Sequence, residues 1–266
     1  YSQAKACAYL KTLFWHSLFS LRGGIINIET DFKNAHIGLW LFIGLVGSGK
    51  TTFAQKLWAT DPKGTIRSSL DEIIQMISFY NYEPQMNSFY VGVERSTIID
   101  GLLDGYKVIV DRTNITRKLR SQFITIVKKI KEIAKEYLSL ADDIGEEVFI
   151  EQCERNLVEN TLIEESRKNI DIYSSFLKLV KTSFIRKKLK DISQTEIVAV
   201  YFDIPEEICI ERRTSDPLNV VRDRVQKIDW NAVIQRMKRK FEPPDISEGF
   251  DRIYTVNHKG KVTKKV

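Results

Sequence analysis

The chain has 266 residues, enough for one large domain or a core with an added lobe, and 43% of them are hydrophobic, which excludes a disordered polymer. Lys and Arg number 41 against 35 Asp and Glu, a net charge of +6 that suits a polyanionic partner without dictating one. Cys7, Cys153 and Cys209 are isolated and His16, His36 and His258 are scattered, so neither a disulfide framework nor a metal cage is expected.

Residues 4–21 place Ala4, Cys7, Leu10, Phe14, Leu18 and Leu21 at helical spacing, and Gly23-Gly24 stops the pattern. The apolar run 13–21 is broken by His16 and Ser17 and falls short of the ~20 residues a bilayer needs. Lys11 splits the apolar stretch that a secretory leader would use. An intracellular, cytoplasmic protein with no membrane partner is therefore expected, its cysteines reduced. Residues 25–28 suggest a short strand.

Residues 37–43 are an apolar run suited to a buried parallel strand, and residues 52–60 read as a helix. Between them stands Gly44-Leu45-Val46-Gly47-Ser48-Gly49-Lys50-Thr51, which matches the P-loop pattern G-x-x-x-x-G-K-[ST] at every fixed position. Its glycines would let backbone N–H groups curl around phosphates at the helix N-terminus. Lys50 would reach the β- and γ-phosphates of ATP and the Thr51 hydroxyl would ligate Mg²⁺, with Ser48 and Thr52 completing the cradle.

A turn at Pro62-Lys63-Gly64 leads to a strand over 65–69. Ser69 then N-caps a helix running to Phe79, with Asp71 in its first turn. A loop at 81–87 contains Pro84, a helix covers 89–104, and a strand over 106–111 ends on Asp111, followed by Arg112, Thr113 and Asn114. From Thr116 the pattern stays helical to residue 192, with a break near Gly145. The end of that stretch is basic, with Lys178, Lys181, Arg186, Lys187, Lys188 and Lys190, which reads either as a track for a phosphate backbone or as a solvated helix face. A strand over 196–203, a helix from 205, a loop at Pro217, a helix over 230–241 and a strand over 251–256 complete the chain. Alternating strands and helices predict an α/β fold: a parallel sheet of about five strands between helices, with ligands at the carboxyl ends of the strands.

The segments Ser69-x-Asp71-Glu72-Ile73, Asp111-x-Thr113-Asn114, the Arg-rich stretch 212–224 and Phe241-Glu242-x-Pro244-x-x-x-Glu248-Gly249-Phe250-Asp251 occur in that order. Together with the P-loop they resemble the 5′-hydroxyl polynucleotide kinase family of P-loop phosphotransferases, over residues 37–125 and 196–256. The resemblance implies a P-loop kinase domain at 37–256, interrupted by a helical insert at about 130–193. A helical extension (1–36) would precede it and a basic tail (257–266) would follow. It implies that Asp71 takes the proton of the attacking hydroxyl, although Asp near a helix start also serves as a cap. Asp111, Arg112, Thr113 and Asn114 correspond to the substrate side, and Arg212, Arg213, Arg222 and Arg224 to a lid over the donor phosphates, or else to a salt-bridged surface. One position departs from the family: Ile74 stands where many relatives carry an Arg that grips the nucleic acid, and Arg67 or Arg112 is left to compensate. The function implied is ATP- and Mg²⁺-dependent phosphorylation of a nucleic acid 5′-hydroxyl end. A small-molecule or nucleotide-sugar kinase of similar core and a nucleotide-binding regulatory module are the alternatives.

Overall fold

The computed structural model describes residues 27–139, 146–162, 168–182, 185–217 and 228–265. Gly38–Ile43 (β1) is buried at every residue because it runs through the middle of a sheet covered on both faces. The other strands are β2 (Thr65–Ser68), β3 (Lys107–Val110), β4 (Glu196–Asp203), β5 (Arg252–Asn257) and β6 (Val262–Lys265). They lie in the order β2-β3-β1-β4-β5-β6. All neighbours are parallel except β5 and β6. The sheet thus has one strand more than the sequence suggests. The basic residues after Asn257 turn back at Gly260 and pair with β5, Thr255 opposite Thr263.

The helices are α1 (Ile28–Asn34), α2 (Lys50–Thr60), α3 (Leu70–Ser78), α4 (Asn87–Leu103), α5 (Arg117–Ser139), α6 (Glu146–Leu162), α7 (Ile170–Val180), α8 (Ile185–Ser193), α9 (Glu206–Thr214) and α10 (Trp230–Arg239). Asn27 caps α1 through its side-chain oxygen, so the chain turns helical at Ile28 rather than continuing as a strand. The helix expected over 4–21 lies outside the described residues. Pro84 opens a single 3₁₀ turn, Pro84–Met86, in the segment read as loop. The helical pattern over 170–192 divides into α7 and α8. At the division the Thr182 hydroxyl bonds the Leu179 carbonyl and accepts from Lys188 Nζ, local bonds that compete with helix continuation.

Side chains alternate across the strands into two layers. Trp40, Phe42, Val198, Val200 and Tyr254 face α1, α2, α9 and α10 through Phe32, Leu57, Cys209 and Ile234. Leu39, Leu41, Val108, Val110, Ile197 and Ala199 face α4 and α5, and the buried residues of α6, α7 and α8 belong to that same cluster. The sheet order reverses around β1, which has β3 on one side and β4 on the other, and a crevice at such a switch point is where open α/β sheets bind ligands. The loop after β1 opens there.

Candidate active site

The loop between β1 and α2 is held by its own backbone and by its neighbours. Gly47 and Gly49 have φ of +80° and +91°, a left-handed conformation that side chains disfavour. A Cβ on Gly47 would also run into the Cys209 carbonyl of α9, so this glycine admits α9 against the loop. The Gly44 N–H donates to the Thr113 carbonyl at 2.9 Å, which ties the loop to the segment after β3. Gly49 is the N-cap of α2, no side chain caps it, and no acid stands in the first turn. The positive end of the helix dipole is therefore uncompensated by the chain, as suits a bound anion.

Lys50 is buried inside this loop. Its Nζ donates to the carbonyls of Leu45 (2.7 Å) and Gly44 (3.0 Å) and to Ser48 Oγ (3.2 Å). Burial lowers its ammonium from the ordinary 10.5 to about 8, while the carboxylates of Asp111 and Asp71 oppose that shift. Both acids thus stand within electrostatic reach of Lys50, from the ends of different strands. Thr51 and Thr52 are exposed on the first turn of α2, where Thr51 is free to meet a cation.

Asp111 follows β3 and is buried. Arg67 on β2 donates to its Oδ2 from Nε (3.1 Å) and Nη2 (2.6 Å), and reaches Glu72 with Nη1 at 2.7 Å. Asp71 is exposed at the second position of α3. The N-cap is Ser69, as expected, but no side chain makes a capping bond, Asp71 included. Arg112 bonds Glu94 of α4 at 2.7 Å, while Glu94 is fully buried and its Oε1 has no partner among the described residues. Burial pushes the Glu94 carboxyl above its ordinary range, Arg112 opposes this and Asp71 adds to it. Sequence reading passed over Glu94, although Tyr90, Glu94 and Ile98 follow one another at four-residue spacing on a buried face, where a lone carboxylate is out of place.

Thr113 is half-buried beside the loop. Asn114 is buried at φ +46°, and its amide donates to the Phe42 carbonyl at 2.8 Å, so it joins the segment after β3 to β1. The segment is braced from behind. Arg120 of α5, fully buried, pairs with both oxygens of Glu248 at 2.7 Å and donates to the carbonyls of Asn114 (3.1 Å) and Glu242 (2.8 Å). The two lid arginines of α9 part company. Arg212 is exposed, with a guanidinium nitrogen 3.7 Å from where a Cβ on Gly49 would stand. Arg213 is buried over the Trp230 ring at 3.7 Å, joining α9 to α10. Arg222 and Arg224 lie outside the described residues.

Residues 39–141 match the AAA domain family. Fold, loop and family match agree on a P-loop nucleotide-binding core. Among solved structures, one from the PezAT chromosomal toxin–antitoxin system of the human pathogen Streptococcus pneumoniae aligns with 99% of this chain and 82% of its own, at 11% identity and a TM-score of 0.44. Another, from the Pnkp1/Rnl/Hen1 RNA repair complex, aligns with 84% of this chain and 97% of its own, at 12% identity and a TM-score of 0.32. No described helix is long and apolar enough to cross a membrane.

Proposed function

We propose that this protein transfers the γ-phosphate of ATP to the 5′-hydroxyl end of a DNA or RNA strand. The observation that carries the reading is the convergence of Lys50 with two carboxylates, Asp71 after β2 and Asp111 after β3, and with Arg212 on the far side of the loop. Phosphoryl transfer asks little covalent chemistry of a protein and much positioning and charge compensation. Lys50 and the N-terminus of α2 would cradle the β- and γ-phosphates. Arg212 would stabilise charge on the transferred group, and Arg213 would hold α9 in place for it. Asp71 would orient the acceptor hydroxyl and take its proton.

The residues present fit Mg²⁺: the Thr51 hydroxyl is exposed at the helix start, and both bonds to Asp111 fall on Oδ2, which leaves Oδ1 toward a metal-bound water. Such an ion supplies charge neutralisation across the phosphates and needs few protein ligands. Thr113 and Arg112 would border the acceptor, and Asn114 would fix the backbone between them.

The second reading is a small hydroxylated acceptor or a nucleotide sugar. It is favoured by the buried Ile74, and by Arg67, whose three guanidinium nitrogens all bond carboxylates. Asp71→Asn tests phosphotransfer itself, with labelled ATP offered to oligonucleotides and to small alcohols. Since Asp71 makes no capping bond, the variant should melt like the parent and bind ATP, yet lose ~10²–10⁴ in rate. Retained specific activity would exclude Asp71 as the base and favour a nucleotide-binding module.

A further inference from the structure

The corner where α3 meets α4 exposes four large apolar side chains: Phe79 at 88%, Met76 at 71%, Phe89 at 56% and Tyr82 at 49% of their full accessibility. Phe79 and Tyr80 both adopt left-handed backbone, φ +50° and +66°, where glycine would sit without cost. The corner is nevertheless ordered. Phe79 N–H bonds the Gln75 carbonyl and Asn81 N–H the Ser78 carbonyl. Tyr80 Oη donates to Gln75 Oε1 at 2.7 Å, and Tyr82 Oη to Asn87 Oδ1 at 3.1 Å. The Tyr82 ring lies 6.0 Å from that of Tyr90. A glycine-type turn that instead fixes a phenylalanine almost wholly in solvent keeps an apolar face ready for a ligand.

We propose that Phe79, Tyr82 and Phe89 form a stacking platform for bases of the single strand whose 5′ end is phosphorylated. The inference rests on the polynucleotide reading for the identity of its ligand. The platform stands at the C-terminal end of the helix whose second residue is Asp71. Eight residues at 1.5 Å rise separate the two, about 12 Å, or roughly three stacked nucleotides at ~3.4 Å each. Rings stack on any base, so the contact is indifferent to sequence. The first turn of α3 carries Asp71 and Glu72, so a strand along this helix is held by base faces, with its phosphates turned outward. Aromatic rings tethered by hydroxyl bonds suit planar bases better than the aliphatic side chains of a partner protein, and the net charge of +6 favours a polyanion.

The test uses the full chain and a single-stranded 5′-hydroxyl oligonucleotide of about ten nucleotides. Phe79→Ala should raise the acceptor KM roughly 5- to 100-fold, the range for loss of one stacked base, with kcat at saturating acceptor and the KM for ATP within about twofold. Phe79→Trp should retain parent affinity. Phe79→Gly relieves the left-handed backbone, so it should melt higher than the parent yet lose the same acceptor affinity, which separates the loss from misfolding. In the parent, an abasic nucleotide at one of positions two to four should reproduce the loss, and it should add nothing in Phe79→Ala. Anisotropy of the labelled oligonucleotide without ATP separates the two proposals. Binding that depends on Phe79 with no transfer to the oligonucleotide supports the platform and overturns the kinase reading. Transfer with an acceptor KM untouched by Phe79→Ala overturns the platform alone, as does full activity in a Phe79→Leu variant. Neither binding nor transfer overturns both.

Discussion

At Lys50 the chain accepts a stability cost to hold a charge where phosphates would be bound. The amine titrates near ~10.4 in an unfolded chain and at about 8 here. Between those values the unfolded chain binds more protons than the folded one, so stability rises with pH across this window, and below about pH 8 the folded protein bears the full desolvation cost. Phosphates reverse the preference by favouring the charged amine. ATP binding should therefore take up a proton above about pH 8, and affinity should fall toward tenfold per pH unit as pH climbs from there. Calorimetry in buffers of different ionisation enthalpy reads that proton directly; an affinity flat from pH 8 to 9.5 would place the Lys50 pKa elsewhere. Lys50→Met should remove the nucleotide-dependent rise in melting temperature without lowering the melting temperature of the unliganded protein. A variant melting several degrees early would make Lys50 a structural clasp of the loop carbonyls.

The elements show which parts of the site were legible in the residues and which were not. β1, α2 and the loop between them were, because a P-loop declares itself by local pattern and a parallel strand buried on both faces reads as an unbroken apolar run. The segment Phe241-Glu242-x-Pro244-x-x-x-Glu248-Gly249-Phe250-Asp251 was legible as a family mark but not in its task. Glu248 meets Arg120, 128 residues earlier in the chain, and no spacing rule pairs residues so far apart. Glu242 Oε2 accepts from the Arg117 N–H at 2.6 Å, and Asp251 Oδ2 from the Ile197 N–H at 2.7 Å. These carboxylates brace α5, β4 and the segment after β3, so the motif acts on the site through the backbone of Asn114. Glu248→Ala would leave the Arg120 guanidinium buried without its carboxylate, at a cost of about 3–5 kcal/mol. Replacing Arg120 by Met as well should recover part of that loss, since no buried charge remains. Urea unfolding of the two single variants and the double measures the coupling, and strictly additive losses would mean that the pair is not a unit.

On the scale of the whole molecule, the helices from Arg117 to Ser193 are not a lobe hung on the sheet. Tyr137 of α5, Phe149 and Leu157 of α6, Phe176 of α7 and Leu189 of α8 are buried in one cluster with Leu39, Leu41 and Ala199 of the central strands. Polar contacts repeat the connection: Lys131 Nζ bonds the Thr195 carbonyl at 2.9 Å, Ser175 Oγ bonds Asp100 Oδ1 at 2.7 Å, and Arg95 pairs with Asp171. A domain whose faces are covered in this way should unfold as one cooperative unit. ATP, which binds at the far edge of β1, should then raise the single melting temperature of the helices and the sheet together. Leu189→Ala, some distance along the chain from the loop, should cost about 2–5 kcal/mol and lower that transition by roughly 5–15 °C, with ATP affinity at 25 °C nearly unchanged. Replacing residues 132–193 by a short Gly/Ser linker would remove α8 and the second half of α5 and uncover the apolar face of the sheet, so the product should not fold. Scanning calorimetry decides the matter: two transitions, of which only one responds to ATP, or a linker variant that folds and binds nucleotide, would make the helical segment an independent unit.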